Sequence, residues 1–317
     1  MSSPELRLAT RSSPLALWQA REVERRLRAA HHGLHVHLVE VSSSGDRSPS
    51  AAVADIPADG VFVDEARAAV LAGRADVAVH SAKDLPSVAA GGLVIGAVPF
   101  RGDPRDALVG ATLADLAPGA VVATGSPRRR AQLAWLRPDL TFTALRGNIA
   151  TRLSKVPPGG AVVVAVAALD RLGLRHEAAY VLSPAEMLPQ VGQGAVALEC
   201  REEDGSTALL LGAIDDPSAH LSLDAERGFL ARLGAGCDTP AGALATVAGA
   251  RVSLEALLAS SDGRVLARTR VEGVFDEAGG AGSDDVVPGA LAAALGAQAA
   301  EELLGGVGQV SGGLPLL

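Results

Sequence analysis

The sequence predicts an α/β protein, with two successive units of alternating strands and helices followed by a smaller α+β domain at the C-terminal end. Three observations carry this. Strands and helices alternate from Leu6 to Val79, the alternation restarts after Arg101-Gly102-Asp103-Pro104-Arg105-Asp106, and beyond Pro217 it gives way to paired strands between helices. An order of strand, helix, strand, helix, strand implies mainly parallel sheets with helices on their faces.

Leu6 to Thr10 alternates as a first strand. Ser13-Pro14 then supplies a cap and a first-turn proline for a helix to about Ala30. Leu34 to Val41 alternates again. Ser42 to Asp59, rich in Ser, Pro, Gly and Asp without an apolar period, reads as a mobile loop or lid, followed by a helix from about Val63 to Ala72 and the strand Asp76 to Val79. The second unit reads as strand Ala120–Ala123, helix Pro127–Leu136, strand Leu140–Leu145, helix Ile149–Leu153 and strand Ala161–Ala165. From Pro217 onward a helix is followed by strands near Ala243–Ala248, Arg251–Ala259 and Arg264–Val271, with a hairpin turn at Ser261-Asp262-Gly263. A helix from Pro288 to Leu304 and a frayed tail Gly305–Leu317 end the chain.

At 317 residues the chain suits two or three domains that need no disulfides. Two cysteines, and no charged and apolar leader after Met1, place the expectation in a reducing cytoplasm. No apolar run reaches the roughly 18 to 20 residues that span a bilayer. A net charge of −8 argues against a general nucleic-acid binder. Only Lys83 and Lys155 are lysines among 28 cationic residues, so local positive charge means arginine. The four histidines between His31 and His37 fall on a helix end and an alternating strand, a solvated surface rather than a metal site, and no zinc-type spacing occurs.

Cys237 lies in Leu233-Gly234-Ala235-Gly236-Cys237-Asp238-Thr239-Pro240, a stretch that displays a thiol, whereas Cys200 ends the apolar run from Ala195 and reads as buried. Thr124-Gly125-Ser126-Pro127-Arg128-Arg129 follows a strand and opens a helix, so backbone N–H groups and arginine forks converge as an anion site. Arg146-Gly147-Asn148 and Arg152 belong to the same rim, and arginine forks suit a polycarboxylate. Each arginine alone could be a solvated helix-start residue. Asp84, in His80-Ser81-Ala82-Lys83-Asp84-Leu85-Pro86, is either a turn aspartate before proline or a carboxylate that holds a cationic nitrogen and shuttles its proton. Gln190-Val191-Gly192-Gln193-Gly194-Ala195 is a glycine-punctuated entry to a strand.

Taken together with Leu8-Ala9-Thr10-Arg11-Ser12-Ser13-Pro14, these six ordered blocks closely resemble the porphobilinogen deaminase (hydroxymethylbilane synthase) family. The resemblance implies two domains similar to periplasmic binding proteins and a third carrying the cysteine: residues 1–99 with 194–215, 100–193, and 216–317. It implies head-to-tail condensation of four porphobilinogen molecules into hydroxymethylbilane with loss of ammonia, primed by a dipyrromethane cofactor in thioether linkage to Cys237. The resemblance implies the catalytic role for Asp84. Lys83, Ser81, Thr124, Ser126, Arg128, Arg129, Arg146 and Gln193 are implied cofactor contacts, and Arg11, Ser13, Arg128, Arg146, Arg152 and Arg171 substrate contacts. The resemblance further implies a cytoplasmic monomer, without metal, membrane or nucleic acid, whose product passes to the next tetrapyrrole enzyme.

The chain departs from some members of that family. Asp59 and Asp64 flank Gly60-Val61-Phe62-Val63 where relatives have lysines, Pro127 replaces a leucine, and Asp238-Thr239 differ after the cysteine. Two rival readings stand beside this one: a non-enzymatic two-domain anion-binding protein, and a thiol hydrolase or transferase using Cys237 as a turnover nucleophile.

Overall fold

The structure, a computed structural model, describes residues 4–41, 63–234, 239–275 and 288–310. The described strands are, in chain order, β1 (Glu5–Arg11), β2 (His35–Val41), β3 (Val77–Ser81), β4 (Leu93–Arg101), β5 (Asp106–Val109), β6 (Val121–Ala123), β7 (Thr141–Thr143), β8 (Ala161–Ala165), β9 (Tyr180–Val181), β10 (Ala195–Arg201), β11 (Ala241–Ala248), β12 (Arg251–Ala259) and β13 (Leu266–Val274). The chain divides into two compact units, Met1–Gly102 with Ala195–His220 and Asp103–Gly194 with Leu221–Leu317.

The first unit is built on a five-stranded sheet of order β2-β1-β3-β10-β4. β1 pairs in parallel with β2 and β3, while β10 runs antiparallel to both β3 and β4. Alternation along the strands gives the sheet two apolar faces. Leu6, Leu8, Val77 and Val79 pack with Ala20, Val23 and Leu27 of the helix Pro14–Ala30. Ala9 and Ala78 pack on the other face with Ala66, Ala69 and Val70 of the helix Asp64–Leu71. Ser13 caps the first helix by accepting a bond from Ala16 N at 3.3 Å, with Pro14 in the first turn, as the sequence pattern predicts.

The second unit holds a five-stranded sheet of order β7-β6-β8-β5-β9 and an antiparallel sheet of order β11-β12-β13. Phe229 and Leu233 from the helix Pro217–Leu233, and Ala292, Leu295 and Leu303 from the helix Pro288–Val310, close a core over the three-stranded sheet. These two helices approach closely. A Cβ at Gly228 would strike Ala293 backbone and one at Gly296 would strike Ala225 backbone, so both positions require the missing side chain. Ala131, Leu188, Leu257 and Ala259 form one further buried cluster joining the two sheets of this unit.

Several expectations are corrected. The sheets are mixed rather than mainly parallel, because β10 and β5 each enter antiparallel to their neighbours. Strand β4 is hidden in the sequence by Gly96 and Pro99, and the helices Val166–Arg171 and Gly205–Gly212 lack an amphipathic period. The last helix continues to Val310 instead of fraying at Gly305, β11 starts at Ala241, and β13 is displaced to Leu266–Val274. The lid expected at Ser42–Asp59 lies outside the described residues.

Candidate functional site

In the first unit the relevant side chains gather where parallel strands end, the edge at which α/β sheets present groups to ligands. β1 and β3 pair as Leu8↔Val77 and Ala9↔Ala78, which brings Arg11 level with the end of β3. Ser13 follows Arg11 as the helix cap, and Ser81 Oγ accepts a bond from the buried Gln19 Nε2 at 2.8 Å. A single 3₁₀ turn, Ala82–Asp84, follows β3. Ala82 within it and Leu85 just after it are buried, Lys83 is half-buried, and Asp84 is exposed.

Beneath this turn lies a charged cluster that sequence reading missed. Glu199 on β10 takes a two-point contact from Arg67, Nε to Oε2 and Nη2 to Oε1, each at 2.7 Å. His80 Nε2 approaches Glu199 Oε2 at 3.1 Å, within ion-pair distance but short of hydrogen-bond geometry. Burial alone would raise the Glu199 pKa, yet His80 and Arg67 outweigh it and hold the carboxyl at about 2. The signal was a carboxylate interrupting the apolar run Ala195–Cys200.

In the second unit β6 leads through Thr124, Gly125 and Ser126 into the helix Pro127–Leu136, which Ser126 caps by accepting from Arg129 N at 3.4 Å. Thr124 Oγ1 accepts from Ser126 N at 3.2 Å, and a Cβ on Gly125 would lie 2.7 Å from Leu145 O, which explains the glycine. Arg128 and Arg129 are neither solvated nor displayed as free forks. Both are buried and converge on the fully buried Asp106: Arg128 Nη2 reaches Oδ2 at 2.8 Å and Arg129 Nη2 reaches Oδ1 at 2.7 Å. This corrects the open anion site expected at the helix start. Carbonyl oxygens of Leu188 and Val163 accept from the same two guanidiniums, and Gln193 Nε2 donates to Asp106 Oδ1 at 2.9 Å. Burial works against the Asp106 charge, but the two guanidiniums prevail and keep its carboxyl well below the usual range. Arg171, also buried, donates to Gly194 O at 2.6 Å, and desolvation lowers its pKa to about 10. Arg146 is exposed after β7, and Arg152 Nε donates to Gly147 O at 2.7 Å. Cys237 lies outside the described residues, in the connection between the helix Pro217–Leu233 and β11.

Comparison with known proteins reads these features as one family. Residues 6–208 match the family model described as porphobilinogen deaminase, dipyromethane cofactor binding domain, and residues 221–305 match porphobilinogen deaminase, C-terminal domain. The chain belongs to the porphobilinogen deaminase family. It is 47% identical over 282 residues to a porphobilinogen deaminase of Acidothermus cellulolyticus, covering 86% of this chain and 85% of that one. It is 43% identical over 309 residues to that of Roseiflexus castenholzii, covering 96% and 97% respectively. Among solved structures it is similar to the periplasmic VFT2 domain of Bordetella pertussis BvgS, with a TM-score of 0.40 and 16% identity over 67% of this chain and 87% of that one.

The donor set of the second unit fits a ligand that bears carboxylates, and the family description names a dipyromethane cofactor. Two guanidiniums share one carboxylate, so the buried cluster carries an excess positive charge, and Arg128 Nε has no hydrogen-bond partner among the described residues. A buried cation without full compensation is costly, and an incoming carboxylate relieves that cost.

The Glu199 cluster has a measurable consequence for stability. Its folded pKa lies below the ordinary 4.5, so the carboxylate's contribution is present above that value and is lost as pH falls toward 2. The difference is on the order of 3 kcal/mol near neutrality. In urea unfolding, the gap between the native chain and Glu199→Gln should narrow by about 2 kcal/mol from about pH 7 to about pH 3. A gap that stays constant over that range would show Glu199 to have no linked proton.

Proposed function

We propose that this chain is a transferase joining four porphobilinogen molecules head to tail into hydroxymethylbilane, with one water consumed and four ammonia molecules released. The observation that carries the reading is the exposed Asp84 carboxylate on a buried-anchored turn within a family-matched domain. In each step a C–N bond of the aminomethyl group breaks, ammonia leaves, and the resulting cation spreads onto the pyrrole nitrogen. Asp84 holds that nitrogen's N–H and stabilises its charge; a free α-carbon then attacks, and Asp84 assists removal of the α-proton.

When bound to Cys237 through a thioether, dipyrromethane supplies the free α-carbon from which growth begins. The protein's own groups bind and orient. Every pyrrole carries an acetate and a propionate, which suits Arg11, Arg128, Arg129, Arg146, Arg152 and Arg171 as carboxylate partners. Because Arg128 and Arg129 already meet Asp106, a ligand carboxylate would join this cluster and meet the unpartnered Arg128 Nε. Lys83, Ser13, Ser81, Thr124, Ser126 and Gln193 would complete the polar contacts. The same reading keeps the three-domain division, with the cysteine in 216–317, and has the protein act as a cytoplasmic monomer that passes its product to the next tetrapyrrole enzyme.

The test is an assay of the purified chain with porphobilinogen. The expected result is one ammonia released per porphobilinogen consumed, with a linear tetrapyrrole as product. Binding without ammonia release would favour the non-enzymatic anion-binding alternative.

A further inference from the structure

We propose that His80 is a positioning residue for the Asp84 turn, held in place by the buried Arg67–Glu199 pair. The inference rests on the reading that Asp84 carries the chemistry. His80 and Glu199 share a face of the sheet: His80 stands opposite Ala197 and Glu199 opposite Ala78, a diagonal pair across β3 and β10. Arg67 comes from the helix that covers this face.

The arginine already meets both carboxylate oxygens, so His80 is not needed to balance the charge of Glu199. A ring with side-chain exposure of 4% is nevertheless kept at this position, where an apolar residue would fill the same space. What the imidazole contributes is a fixed point. The next residue, Ser81, points to the opposite face and is held there by Gln19 of the helix Pro14–Ala30. Successive side chains therefore engage the end of β3 from both faces, His80 packed against Glu199 at 3.1 Å and Ser81 hydrogen-bonded to Gln19, directly before the turn that ends in Asp84. With buried Ala82 and Leu85 on either side of Lys83 and Asp84, the exit of β3 sets where the carboxylate stands.

The test compares His80→Leu and His80→Gln by steady-state kinetics, thermal melting and intact mass. His80→Leu should keep the added mass of a dipyrromethane linked to Cys237 and a melting temperature within a few degrees, while kcat falls about tenfold to a hundredfold and KM stays within about twofold, as expected when a reacting group is misplaced by a fraction of an ångström to about 1 Å. His80→Gln places an amide N–H within reach of the Glu199 carboxylate and should recover several-fold of the lost kcat. A wild-type kcat in His80→Leu, a loss no larger than the unfolded fraction, or no recovery in His80→Gln would overturn the role. Should His80→Leu not fold, His80→Asn, too short to reach Glu199, replaces it with the same expectations. Asp84→Asn run alongside separates the two levels. An inactive Asp84→Asn beside a normal His80→Leu rejects positioning alone, whereas an active Asp84→Asn rejects the underlying reading.

Discussion

Asp84→Asn should leave the fold intact and nearly abolish ammonia release. The side chain is exposed at the end of a turn held by its neighbours, and no described residue forms an ion pair or hydrogen bond with its carboxylate. Exposed substitutions of this kind usually change stability by less than about 0.5 kcal/mol. The amide keeps the shape but loses the charge and the ability to accept a proton. A unit charge about 4 Å from a developing cation is worth from about 1 kcal/mol in water to about 4 kcal/mol near a protein surface. Proton transfer by a placed side chain adds typically about 10²- to 10⁴-fold. A fall in kcat of at least about a hundredfold is therefore expected, with KM changed only a few-fold. Turnover within about threefold of the native chain would remove Asp84 from the chemistry.

Intact-mass measurement of the purified protein should show a surplus equal to two linked pyrrole units, and peptide mapping should place it on Cys237. The alternative thiol is excluded by its surroundings. Cys200 is fully buried on β10, burial pushes its thiol pKa up, and its Sγ sits against Gly96 of the neighbouring strand. An adduct there would force the sheet apart. Cys237→Ala should run at the mass of its sequence and release no tetrapyrrole. An active native preparation showing only the sequence mass, or a surplus mapped to Cys200, would refute the anchor; a free thiol consumed in turnover would instead favour the thiol hydrolase alternative.

What the sequence revealed was what lies close along the chain. Ser13-Pro14 and Ser126-Pro127 announced their helices because a cap and a first-turn proline act within one turn, and both helices start there. The exposed turn at Asp84 was legible for the same reason. Partners brought together by the tertiary fold were not. Asp106 reads only as the end of the segment between the two alternating units, yet it meets Arg128 22 residues later and Gln193 87 residues later. The guanidiniums of Arg128 and Arg129 therefore looked available when they were already engaged. Glu199 and Arg67, 132 residues apart, were hidden likewise. Composition could suggest a cationic site, but only the fold shows which carboxylate shares it.

The placement of β10 bears on how the chain is made. The first hundred residues supply β1 to β4, but β3 and β4 have no partner in one another; the strand that fits between them is Ala195–Arg201. During synthesis from the N-terminus, both edges stay open while nearly a hundred more residues emerge, long enough for much of the second unit to form first. Non-local pairing of this kind slows folding, and open edges invite pairing with other chains. Because Glu199 arrives on that same late strand, the nascent turn at Asp84 gains its buried support only when the sheet is finally closed.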